Sequence, residues 1–168
     1  MQRFRLHGFG KIAVVMFLSV ITPYYGAEVP TGRAPEWIKQ LDRANKAEAV
    51  LLSDDQHGKI AERTKRKVLN RVTVDQLKLL FKADANWNGP KNKCEPVYGA
   101  RLLYHLTSSS KQKDKTLVLN LCLHCDEFFA EQNGKSIDHG NFRAAMHPAL
   151  LEIFRALFPD DRQLTIVK

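Results

Sequence analysis

Leucine stands at positions 117, 119, 121 and 123 of the stretch Lys115 to Phe129, KTLVLNLCLHCDEFF. Residues that recur at every second position share one face of a β-strand, so these four leucines demand a strand with one side in an apolar core. The other side then takes Thr116, Val118, Asn120, Cys122 and His124. A strand continuing straight would put Cys125 on the leucine side, away from Cys122. Convergence of the two thiols therefore requires a bend or a strand end near His124.

A partner for this strand lies just upstream. In Val97 to Leu106 the residues Tyr98, Ala100, Leu102, Tyr104 and Leu106 alternate in the same way, and the polar connection Thr107 to Asp114 suits a hairpin. A symmetric hairpin sets Leu102 opposite Leu119 and Tyr98 opposite Leu123. It also brings Cys94, outside the first strand, towards Cys122 and Cys125. Two further strands are expected at Ala47–Ser53 and Lys67–Val74. Asp54 to Gly58 reads as a turn between them.

Helices are expected at 75–85, capped by Thr73 or Asp75, and at 143–158, interrupted or started afresh at Pro148 and ended by Pro159. A shorter helix from Pro35 to about Asn45 carries Trp37, Ile38 and Leu41 as its apolar stripe. Ala130 to Asn141 reads as a polar loop. With 168 residues, 44% of them hydrophobic, the chain has material for one core. The expected fold class is α+β: a small antiparallel sheet of about four strands packed against two or three helices.

The first 27 residues have a different character. Arg3, Arg5 and Lys11 precede the apolar run Ile12 to Ile21, which is too short to span a bilayer and is followed by a polar exit. This is the layout of a secretory signal peptide with a cut after Ala27, although Tyr25 departs from the small-residue rule at that site. The domain reading is 1–27 signal peptide, 28–46 linker and short N-terminal helix, and 47–168 a single α+β domain. Its expected place is periplasmic or secreted, with no stable membrane anchor after cleavage. The leader carries three of the formal charges behind the net +8, so the mature chain is left with about five. The basic run Lys59 to Arg71 has no interleaved aromatic residues and no glycine-rich phosphate loop, so nucleic acid is not an expected partner.

The residues capable of chemistry are Cys94, Cys122, Cys125 and His124. In an oxidising compartment a structural disulfide is the default, and three thiols allow three alternative single bridges. A Cys₃His zinc site is a second reading, since the spacing of Cys122 and Cys125 is right for it although a second such pair is missing. A thiol-redox role is a third, because Cys122-Leu123-His124-Cys125 has thioredoxin-like spacing but ends a strand rather than opening a helix. His57, His105, His139 and His147 are scattered, with His139 closest in sequence to the cysteine pair. Ser108 to Ser110 lacks a glycine elbow, while Asp126-Glu127 and Asp160-Asp161 read as solvated caps. No catalytic constellation emerges, so enzymatic activity is left open.

Cys94-Glu95-Pro96, the strand end Leu121 to Asp126 and the closing Phe158-Pro159-Asp160-Asp161 together resemble a group of uncharacterised exported bacterial proteins. These carry a C-x-P element, a hydrophobic-C-x-x-C strand end and a C-terminal F-P-D-D motif. The resemblance covers roughly Ala47 to Val167 and implies a common fold, with Leu123 standing where an aromatic residue is expected. It brings no assigned activity. The functional expectation is an exported, non-enzymatic domain with a structural cysteine cluster and no cofactor; the alternative is a thiol-redox or zinc-binding protein at that cluster.

Overall fold

The computed structural model describes residues 34–54, 60–91, 99–107 and 115–166. The leucine strand, β5 (Lys115–Cys122), lies at the heart of an antiparallel sheet. Its upstream neighbour β4 (Ala100–Leu106) pairs with Leu102 opposite Leu119, as the alternation predicts. The expected pairing of Tyr98 with Leu123 lies outside the described residues. The remaining strands are β1 (Ala44–Asp54), β2 (Ile60–Glu62), β3 (Lys67–Val68), β6 (Glu127–Gln132) and β7 (Lys135–Asn141). Their order is β2-β1-β4-β5-β6-β7, with β3 also on β1, so the described residues form seven strands where about four were expected.

Two of the additional strands, β6 and β7, span Glu127 to Asn141 and so replace the loop expected at Ala130 to Asn141. Asn133 and Gly134 sit at φ 52° and 75°, the paired left-handed geometry of the tight turn that Asn-Gly favours between twisted strands. Phe128 and Ala130 point into the core from β6. The polar face of β7 disguises the strand, because it lies at the sheet margin and keeps little apolar alternation.

The strand expected at Lys67–Val74 is also corrected. Only Lys67 and Val68 pair with β1. The Asn70 side chain then accepts the Thr73 N–H at 2.9 Å and starts α1 (Arg71–Lys82) several residues earlier than expected. Neither Thr73 nor Asp75 is the cap. Of the two alternatives at Pro148 the structure has the fresh start: the C-terminal helix α2 (His147–Leu157) begins beside it, four residues later than 143, after a single 3₁₀ turn at Ala144–Met146. A short α3 (Arg162–Ile166) follows, with the Asp161 carboxylate accepting the N–H groups of Gln163 and Leu164. The N-terminal element Glu36–Arg43 is 3₁₀ rather than α, and β1 starts immediately after it.

The helices cover one face of the curled sheet. Leu117, Leu119, Leu121 and Leu123 meet Leu77 and Phe81 of α1 and Leu150, Leu151 and Phe154 of α2 in one cluster. Trp37, Phe81, Trp87 and Phe128 form its aromatic part, with ring centroids 5.0 to 6.3 Å apart. Both indoles have acceptors: Trp87 donates to the Phe81 carbonyl and Trp37 to the Asp138 carboxylate. Gly89 lets the chain pass close to Phe142, since a Cβ there would stand 2.1 Å from the Phe142 oxygen.

The opposite face combines a small buried apolar cluster of Val50, Leu52 and Leu103 with an ion-paired network. Arg101 donates to Asn120 and approaches Glu62, which Arg66 grips at 2.6 Å. Arg66 hydrogen bonding holds the Glu62 carboxyl below the usual carboxylate range, and a hydrogen bond from Lys46 does the same to Glu48. Much of the basic run is spent here. Arg63 pairs with Asp161 at 2.6 Å, and Lys67 reaches the Leu157 carbonyl while standing over the Phe158 ring. Lys59 lies outside the described residues. Among the described residues, no helix is long and apolar enough to cross a membrane.

Candidate functional site

β5 ends because its register with β6 closes there. Cys122 faces Glu127 as the last pair, and Leu123 to Asp126 form the connecting turn. Leu123 keeps its side chain in the core, which fixes the start of the turn. Cys125 then comes round so that its backbone N–H donates to Cys122 Sγ at 3.2 Å. The bend required at His124 therefore exists, and it folds the two cysteines against one another. Both side chains are buried, whereas His124 is exposed to solvent.

The turn is held from outside at Asp126. This residue has φ 55°, a left-handed conformation that costs a non-glycine residue free energy unless its surroundings enforce it. Two contacts do so. The Asp126 carbonyl accepts the Phe142 N–H at 2.8 Å, and its carboxylate meets His147 Nδ1 at 2.8 Å. The His147 and Asp126 side chains are only 13% and 16% exposed, so their pairing is shielded from water. His147 Nε2 is buried and finds no hydrogen-bond partner among the described residues; the same is true of Asn141 Nδ2, on the residue opposite Glu127.

The two thiol positions differ in chemistry. Cys122 is a free thiol, and Cys125 is a half-cystine. Cys94, the third member of the predicted cluster, lies outside the described residues, so its expected approach to the pair is not described. A half-cystine sulfur is not a thiolate donor, and the exposed His124 ring leaves the buried pair, so the described donors do not fit a Cys₃His zinc site. No group of three His, Cys, Asp or Glu side chains among the described residues is arranged to hold a metal ion.

Sequence reasoning found the cysteine pair and missed its clamp. Asp126 reads as a solvated cap and His147 as one of several scattered histidines, yet they form the shielded pair beside the cysteines. Their 21-residue separation is bridged only by the β6–β7 hairpin and the 3₁₀ turn, and no local spacing signals that. His139, nearest in sequence, is exposed instead. Burial pushes the Tyr104 hydroxyl above its ordinary titration range. That residue is part of the core and remote in register from the turn. No known family model, curated protein or solved structure matches the chain.

Proposed function

We propose that this chain is an exported, non-enzymatic domain whose cysteine turn is a structural clasp, with Cys125 bridged to Cys94. The observation that carries the reading is the state of the two described cysteines. Cys125 is a half-cystine, Cys122 is free, and the chain has one other cysteine to offer. Such a bridge ties the segment before β4 to the β5–β6 turn, and the Asp126–His147 pair ties that turn to α2. Disulfides persist in oxidising compartments, which agrees with the leader-like first 27 residues and with the resemblance to exported proteins.

A bridge closing a loop of about 30 residues contributes roughly 3–4 kcal/mol on the chain-entropy model. The test is a urea titration of the mature protein purified without reductant, with and without dithiothreitol, beside Cys94→Ser. Reduction and the substitution should each lower the midpoint by a similar amount, and an unchanged midpoint in both would sink the clasp. Edman sequencing of the exported fraction should begin at Glu28; a full-length chain confined to the cytoplasm would remove the export half of the proposal.

A further inference from the structure

We infer that the outer face of α1 docks a second copy of this chain, whose own α1 lies antiparallel across it about a two-fold axis. Among the described residues the two most exposed large apolar side chains are Leu79 at 73% and Val72 at 67%, and both stand on α1. Their separation puts them on one exposed stripe with Gln76 and Ala83, spaced four, three and four, the repeat of a helix–helix seam. The core takes the opposite face, through Val74, Leu77 and Phe81. Beside the stripe runs a groove of about 680 Å³ between α1 and α2, walled by Leu79, Leu80, Ala149, Ile153 and Ala156. Its alanines let a neighbouring helix approach closely.

Charge selects a second copy as the occupant. Arg71 opens α1, where the helix dipole is positive, and Asp84 follows its C-terminal end, where the dipole is negative. Both charges are misplaced for their own helix. An antiparallel pair that sets Val72 against the small Ala83 of the second copy, and Gln76 against its Leu79, brings each Arg71 to the C-terminal end of the neighbouring α1, beside its Asp84. Both misplacements are corrected there, once on each side of the axis. The Arg71 side chain is 95% exposed and stands 3.8 Å from Asp75, an exposed pair of little worth. One Asp84 oxygen accepts the Ala34 N–H at 2.8 Å, and the other is left for the second copy. A helix of 12 residues is about 18 Å long and about 10 Å across, less than the about 800 Å² per partner of a standard complex, so the pairing is reversible and needs high concentration.

Sedimentation and light scattering of the mature protein, carried up to hundreds of micromolar at low salt, should show a monomer–dimer equilibrium. Leu79→Glu alters an exposed side chain, so the fold persists, and should leave monomer alone. Arg71→Asp and Asp84→Arg should each weaken self-association about tenfold, because two attractive contacts become repulsive. Arg71→Asp also suits the dipole of its own helix, so its loss of pairing does not come from unfolding. Mixing the two variants gives the sharpest readout: each pairs poorly with itself, whereas the mixture restores both opposite-charge contacts and should form a heterodimer of parental affinity. A parent protein that stays monomeric over the whole range overturns the proposal, and uptake of an apolar dye by its groove would then assign the groove to a different ligand. A dimer untouched by Leu79→Glu uses another surface and overturns it equally. A mixture that associates no better than either variant alone overturns the antiparallel pairing.

Discussion

Replacing Phe154 by alanine tests whether α2 closes the core. Phe154 is fully buried in the cluster that joins α2 to the leucine face of β5, and it lies one helical turn beyond Leu150 and Leu151. Truncating a buried phenylalanine removes its transfer free energy and leaves a cavity that packed neighbours only partly fill, at a cost of about 3–5 kcal/mol. Native domains have about 5–15 kcal/mol of stability in total. With a urea slope near 2 kcal/mol/M, the midpoint should fall by about 1.5–2.5 M. Trp37 and Trp87 lie within the same cluster, so their fluorescence reports the transition directly. Val72→Ala, on a side chain 67% exposed, is the control and should shift stability by less than about 0.5 kcal/mol. A Phe154→Ala loss below about 1 kcal/mol would mean that the helix lies on the sheet without sealing it.

The acid limb of stability should depend on the polar face of the sheet. Glu48 and Glu62 are held below 4.5 in the folded chain, so their contribution is present above that value and disappears as pH falls from about 4.5 through the lower folded values. Comparing urea midpoints at neutral and acid pH, a Glu48→Gln/Glu62→Gln double variant should lose less on acidification than the parent; equal losses would refute the linkage. His147→Ala leaves the shielded Asp126 carboxylate without its ring partner and should cost about 1–3 kcal/mol, with faster amide exchange at Phe142. An unchanged exchange rate at Phe142 would show that the turn does not need the histidine.

Period-two leucines make β5 and its register with β4 readable in the sequence, because burial of one face leaves no freedom to slip by one residue. The β6–β7 hairpin carried a local sign, Asn133-Gly134, but the hydrophilic face of β7 outweighed it in a reading based on apolar periodicity. At residues 67–74 a local side chain overruled a strand-like composition, since Asn70 satisfies the first turn of a helix and Val72 and Val74 follow it into α1. The site was half legible. Cysteine spacing is a sequence property, whereas the Asp126–His147 clamp depends on where a hairpin returns the chain.

The order in which the strands pair has a bearing on how the molecule assembles. β4 to β7 form a meander in which each strand meets its immediate successor, so every pairing closes only a short loop. β1 instead waits for β4, and α1 lies in the intervening chain. Loop closure costs grow with separation, and contacts distant in sequence slow folding. Because synthesis delivers the chain from its N terminus, β1 is made well before its main partner and remains without that pairing until β4 is available. Its closely spaced Ala47, Ala49, Val50, Leu51 and Leu52, all buried at the end, are the residues that must be kept from other chains during that interval.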